Sequence, residues 1–83
     1  MTLNLNVGAP SATATGLTEG AAYGVTVSGG KVEIEVEVDT DVWTVVHRSN
    51  YGPAVIWPLP GTKIRCTLET GETGAVVAVT AAV

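Results

Sequence analysis

The sequence predicts an all-β protein: a small antiparallel β-sandwich or barrel of about seven or eight short strands with an extended N-terminal arm. Two observations predict this class. Apolar and polar residues alternate with a period of two along most of the chain, and no window shows the periodicity of an amphipathic helix. Glycine, proline and aspartate separate the alternating segments. The 83 residues form one unit, divided into an arm and linker, residues 1–20, and a β-domain, residues 21–83.

The predicted arm begins with a short alternating segment. Leu3, Leu5 and Val7 alternate with polar residues, and a run of small residues follows. Such a segment is able to add a strand to the sheet edge of a neighbouring subunit. We therefore expect residues 1–15 to contribute more to attachment than to folding.

The next two predicted strands flank a pair of glycines. Residues 23–28 alternate with Val25 and Val27 on one face, and residues 31–38 form the most regular alternating segment of the chain. Gly29-Gly30 lies between them and is typical of a hairpin turn, because glycine adopts positive φ at little cost. We predict a hairpin across this pair.

The segment VWTVVHR, residues 42–48, is apolar on both faces. This is typical of a central strand, or of one whose outer face meets a neighbour. Strict alternation places Trp43, Val45 and His47 on one face. We expect Trp43 to pack in the core and His47 to be a packed or hydrogen-bonded residue.

The last part of the chain contains two further predicted strands. Pro60-Gly61 is typical of a type II turn, in which glycine accepts the left-handed position. Residues 63–68 then alternate, with Ile64 and Cys66 facing inward. A second hairpin is predicted across residues 69–74, leading into a final apolar strand.

Three glutamates lie on one face of the same predicted strand: Glu33, Glu35 and Glu37. Paired-carboxylate catalysis needs one carboxyl in an apolar pocket that raises its pKa, and no apolar residue alternates onto this face. The turn at residues 39–41 lacks the glycine-centred loop of a calcium site. We predict a solvated or interface-facing strand, with Lys63 and Arg65 able to pair with the glutamates across a sheet or a subunit boundary.

The single histidine and the single cysteine do not indicate an enzyme. Nucleophilic catalysis needs a nucleophile, a base and an orienting acid. Cys66 lies on the predicted core face, where a thiol behaves as a small hydrophobe. One cysteine and one histidine also exclude an internal disulfide and the common zinc patterns. We predict a protein that is not an enzyme and that binds no cofactor and no metal.

The composition indicates a domain whose surface is partly covered by other protein chains. Hydrophobic residues make up 46% of the chain and charged residues 14%, whereas soluble domains carry roughly 25% charged residues. The alternative is a neutral surface rich in threonine, serine and glycine. A net charge of -4 argues against direct nucleic-acid binding. No segment reaches the roughly 20 apolar residues of a membrane span.

Residues 21–82 resemble the short all-β virion proteins of tailed bacteriophages, most closely capsid decoration (cement) proteins. The matching pieces are Gly29-Gly30 at a strand end, Trp43 with Val45, and Leu59-Pro60-Gly61 leading to Ile64-Arg65. The resemblance implies a structural virion protein, made in the host cytoplasm. It implies a homotrimer that binds the outer surface of the major capsid protein shell and stabilises it.

Two other functions stay open at this point. One is a tail-, neck- or fibre-associated structural module. The other is a β-sandwich that binds carbohydrate or a host surface through Trp43, Trp57 or Tyr51. The candidate interface residues are Leu3, Leu5, Val7, Trp43, Trp57, Glu33, Glu35, Glu37, Lys63 and Arg65.

Overall fold

The computed structural model describes residues 1–49 and 52–82. These residues form eight strands and no helix, which confirms the all-β class. The strands are β1 (Thr2–Asn6), β2 (Ser11–Ala14), β3 (Tyr23–Ser28), β4 (Val32–Asp39), β5 (Val42–Ser49), β6 (Gly52–Ile56), β7 (Ile64–Leu68) and β8 (Gly74–Ala81).

The strands are arranged in two four-stranded antiparallel sheets. Sheet A has the order β1-β8-β3-β6, and sheet B has the order β2-β7-β4-β5. Among the eight described strands, only β4 and β5 are joined as a hairpin, and each of the other six pairs of consecutive strands is divided between the two sheets. This is the strand order of a jelly roll, in which two sheets enclose one core.

The core lies between the sheets and receives alternate side chains from both. On β4 the inward residues Val32, Ile34 and Val36 are buried, while the residues between them point away from the core. Val25 and Val77 meet them from sheet A, and all of these belong to a single buried cluster. Each square ångström of apolar surface removed from water contributes about 25 cal/mol, so this cluster is the main source of stability.

The hairpins predicted across Gly29-Gly30 and across residues 69–74 are wrong. β3 and β4 lie in different sheets, as do β7 and β8. Gly29 does adopt the positive φ of a turn, at 84°. Gly30 has another role, since a Cβ atom at this position would overlap the carbonyl oxygen of Gly74. The pair of glycines therefore serves a crossing between sheets and not a hairpin.

The predicted N-terminal arm is not confirmed. β1 pairs with β8 and β2 pairs with β7, so this segment supplies an edge strand to each sheet. Leu3 and Leu5 are buried in the core of their own chain, whereas Val7 lies in the β1–β2 turn. The N-terminal ammonium donates a hydrogen bond to the carbonyl oxygen of Val79 at 2.8 Å.

The type II turn predicted at Pro60-Gly61 is also wrong. Gly61 is not among the glycines with positive φ. A Cβ atom at Gly61 would lie 2.5 Å from the carbonyl oxygen of Glu37. Glycine is needed here because the chain passes close to β4 and not because of a left-handed conformation.

Candidate interaction surface

Ion pairs form a ladder along the outer face of sheet B. Each of the three glutamates of β4 faces a basic residue on or next to a neighbouring strand. The nitrogen–oxygen distances are 3.1 Å for Arg48 with Glu33, 2.9 Å for Arg65 with Glu35, and 3.9 Å for Lys63 with Glu37. These charges pair within one chain, which confirms pairing across the sheet. No net charge from them is left to recognise an ionic partner.

Arg65 forms the central ion pair of this ladder. Its Nε and Nη2 atoms donate hydrogen bonds to the two carboxylate oxygens of Glu35, at 3.2 and 2.9 Å. This forked arrangement is the stronger form of an ion pair, and it raises the pKa of Arg65. The guanidinium carbon also lies 4.2 Å from the centre of the Trp43 ring. Trp43 is therefore stacked on a cation outside the core.

The expectation that Trp43 packs in the core is wrong. Trp43 lies opposite Glu37 in the β4–β5 register, and opposite residues share one face of a sheet. Its ring is half-buried, because Arg65 covers part of it. The position gives Trp43 a packing partner within its own chain and leaves it unsuited to be a free stacking platform.

Replacing Trp43 with alanine is expected to lower the free energy of unfolding by only about 1–2 kcal/mol. The loss comprises one cation–π contact and part of the ring's burial. Chemical denaturation of the variant measures it, with Val7→Ala as the control because Val7 is exposed in the β1–β2 turn. A loss above about 3 kcal/mol would place Trp43 in the core after all.

Two β-bulges reshape the β4–β5 hairpin. Ile34 pairs with His47 and Glu35 with Val45, so Val46 is an extra residue on β5. Val38 is the extra residue on β4, between the pairs formed by Glu37 and Asp39. A bulge inserts one residue and shifts the alternation beyond it.

The first bulge corrects the predicted position of His47. With Val46 inserted, His47 moves to the face of Thr44, opposite the face that carries Trp43 and Val45. It is exposed, so the predicted packed position is wrong as well. The same shift turns Arg48 outward to meet Glu33. Two successive valines, Val45-Val46, were the only sign in the sequence that the alternation breaks here.

An apolar groove opens where the two sheets end at β5 and β6. We call it the edge groove. It has a volume of about 440 Å³, and the residues that line it include Val36, Val38, Val46, Ile56, Trp57 and Pro58. No Asp, Glu, Lys or Arg side chain among the described residues lines it. Both bulge residues, Val38 and Val46, project into it.

Exposed apolar side chains are concentrated at this edge of the sandwich. Five of the nine large hydrophobic residues that are exposed in the described part of the chain belong to it: Val38, Val42, Val46, Val55 and Trp57. Trp57 is 71% exposed. A monomeric protein carries scattered exposed hydrophobic residues, whereas a contiguous group marks a contact surface. We call this group the apolar edge.

The outer face of sheet A is a second unusual surface, which we call the neutral face. None of the four strands of sheet A contains Asp, Glu, Lys or Arg. The outward positions carry small and hydroxyl-bearing residues such as Thr26, together with Val76. Charged side chains are therefore confined to sheet B and the connections. Another protein can cover the neutral face without desolvating a charged side chain.

Cys66 is the remaining candidate for a chemical role among the described residues. Cys66 is buried in the core, as predicted, and burial raises the pKa of its thiol to about 12, with the charge of Glu35 as a second cause. A protonated thiol is a poor nucleophile at neutral pH. In residues 1–49 and 52–82, no group of three or more His, Cys, Asp and Glu side chains is placed to hold a metal ion. Tyr51 lies outside the described residues.

The fold and these surfaces define a small jelly-roll domain with one apolar edge and one neutral face. Comparisons with protein families, curated proteins and solved structures find no match to this chain. Within the described part of the chain, no helical segment has the length and apolar character of a membrane span.

Proposed function

We propose that this protein is a capsid decoration protein of a tailed bacteriophage: a non-enzymatic homotrimer that binds the outer surface of the major capsid protein shell and stabilises it. The concentration of exposed apolar side chains at one edge carries the proposal. A domain of 83 residues with few charges gains stability when such a surface is covered. The resemblance of residues 21–82 to virion proteins supports the same function.

A decoration protein needs two contact surfaces, one for sibling subunits and one for the shell. The apolar edge and the neutral face both lack charged side chains, and they adjoin at β6, where Val55 lies on the outer face of sheet A opposite Gly24. The ion-pair ladder lies on the outer face of sheet B, where water solvates it. This division supports a protein that is held between neighbours on two sides and exposes its charged face to solvent.

The charge balance supports a place on the capsid exterior, away from the genome. The chain carries a net charge of -4, and the outward basic residues of sheet B are engaged with glutamates. Neutralising phosphates requires free lysine and arginine side chains. The protein is made in the host cytoplasm and acts without contacting nucleic acid or membrane.

Light scattering of the purified protein is expected to give about three times the chain mass of 8.4 kDa. Mass spectrometry of virions that contain the chain should then find many copies per particle, and external protease should reach them without opening the capsid. A monodisperse monomer would contradict the trimer. A few copies at one vertex would favour a tail-, neck- or fibre-associated module instead.

A carbohydrate- or host-surface-binding function is the second candidate, because one specific observation favours it. Trp57 is exposed beside a groove that also contains Thr44 and His47. An exposed indole with a few polar neighbours suits stacking against a sugar ring. Binding in a glycan array that is lost in Trp57→Ala would support this function, and an array without signal would reject it.

A further inference from the structure

We propose that Trp57 of one copy inserts into the edge groove of the next copy, so that the apolar edge is the contact between subunits of the homotrimer. This inference rests on the proposed function and adds the residues that hold the trimer together. Each copy both donates its indole and receives one. A head-to-tail contact of this kind closes into a ring when the rotation between copies is 120°.

The groove selects an uncharged, apolar occupant. Its floor contains Val36 and Ile56, which are buried, and its walls contain the half-exposed Val38 and Val46. An ionised group placed there would lose its hydration without gaining an ionic partner, because no charged side chain of the described residues lines the groove. The volume of about 440 Å³ leaves room for a bulky ring.

Trp57 is the side chain of this protein that best fits that description. A tryptophan carries about 150–250 Å² of surface that packing can remove from water. At 71% exposure, most of this surface is in contact with solvent in the single chain. Trp57 stands at the border of the groove. A symmetry axis that passes close to this border therefore brings the indole of one copy to the groove of the next copy.

Area and charge favour the apolar edge over the neutral face as the contact between copies. A stable interface removes about 800 Å² from each partner, which is roughly one sixth of the 4582 Å² surface of the chain. Beside the residues that line the groove, the exposed Val42 adds apolar surface along β5. Contact through this edge also leaves the acidic outer face of sheet B solvated. The neutral face offers few large apolar side chains, and interface centres are enriched in them.

The experiment compares oligomeric state across four variants by light scattering over a series of chain concentrations. Trp57→Ala removes the inserted ring, and Val46→Glu places a charge in the groove wall. Thr26→Glu places the same charge on the neutral face, and Val7→Ala truncates an equally exposed side chain far from the groove. All four positions are exposed, and circular dichroism confirms folding.

We expect Trp57→Ala to raise the dissociation constant of the assembly about thirtyfold or more, which is the effect of losing a central aromatic anchor. Val46→Glu should dissociate the assembly as well, whereas Thr26→Glu and Val7→Ala should leave it intact. A second readout uses Trp43→Phe, in which Trp57 is the only indole. Its fluorescence emission should shift to shorter wavelength as the chain concentration rises and the ring becomes buried.

Four results would overturn the inference, and they show whether the proposed function fails with it. A wild-type protein that stays monomeric removes the trimer and the inference together. A wild-type trimer that survives both Trp57→Ala and Val46→Glu removes the inference alone. Dissociation by Thr26→Glu without dissociation by Val46→Glu assigns the sibling contact to the neutral face. If Trp57→Ala does not fold, the emission shift of Trp43→Phe decides, and an unchanged emission rejects the insertion.

Discussion

Removal of residues 1–15 is expected to abolish the cooperative unfolding transition of the domain. The deletion takes away β1 and β2, which are edge strands of the two sheets. It also removes the buried side chains of Leu3, Leu5 and Ala14 from the core. A small domain has only a few kcal/mol of net stability, so losing two of eight strands exceeds it. Thermal unfolding followed by circular dichroism measures the transition.

Two point variants within residues 1–15 test whether the loss of stability comes from the loss of buried side chains or from any change in this segment. Leu5→Ala truncates a side chain that is 3% exposed, and we expect it to cost about 2–5 kcal/mol. Val7→Ala is the control because Val7 is 72% exposed, and its effect should stay within about 0.5 kcal/mol. A shortened chain that unfolds as sharply as the intact one would instead identify the segment as the detachable arm that the sequence predicts.

Replacing Gly30 with alanine is expected to destabilise the protein by about 2–4 kcal/mol, at the upper end of the range for overpacking. The added methyl group would overlap the backbone carbonyl of Gly74, at the start of β8. A backbone group cannot rotate away as a flexible side chain does, so the crossing from β3 to β4 has to move relative to sheet A. Denaturant unfolding of the variant gives the change in free energy.

Gly24→Ala is the matched control for this variant. Gly24 lies in β3 of sheet A, and an added Cβ atom would meet the hydroxyl and carbonyl oxygens of Thr80 at ordinary distances of 3.6 and 3.9 Å. It should therefore change the free energy of unfolding by less than about 1 kcal/mol. Equal effects of the two substitutions would show that the close approach of Gly30 to Gly74 is not a constraint on the fold.

The sequence was sufficient for the class of fold and for most of the inward and outward positions. Alternation in β4 correctly placed Val32, Ile34 and Val36 in the core, with glutamates on the other face. It also placed Cys66 in the core. These predictions depend only on the local geometry of a strand, in which successive side chains point to opposite faces. They needed no knowledge of which strands are neighbours.

The sequence did not predict which strands are paired in each sheet. The turn residues at Gly29-Gly30 suggested a local hairpin, yet β3 pairs with β6 and β8, both distant in the chain. In a jelly roll most connections cross between sheets, so a short turn does not identify a pair. The N-terminal segment is predicted as an arm for the same reason. Its partner strands, β7 and β8, come last in the chain, so the local pattern does not reveal the pairing.

The interaction surface was predicted in part. Trp57 was a candidate interface residue, and the structure places it, exposed, at the edge groove, where its role stays a prediction. Val38, Val46 and His47 were not candidates for that surface. Alternation already puts Val38 on the side of Val36 and Val46 on the side of Thr44, whereas His47 reaches the groove because the bulge at Val46 shifts the alternation of β5. A bulge depends on how two strands match, so the pattern of one strand does not reveal it.

By itself the sequence determined that this is a small, sparingly charged protein built of strands, with a core of alternating aliphatic residues. Those properties follow from composition and from the period of a single strand. Only the tertiary structure decided that glutamates neutralise basic residues within one chain, that Trp43 stacks on Arg65, and that exposed apolar residues gather at one edge. The physical reason is that these features arise from contacts between distant segments, whose register the local pattern does not specify.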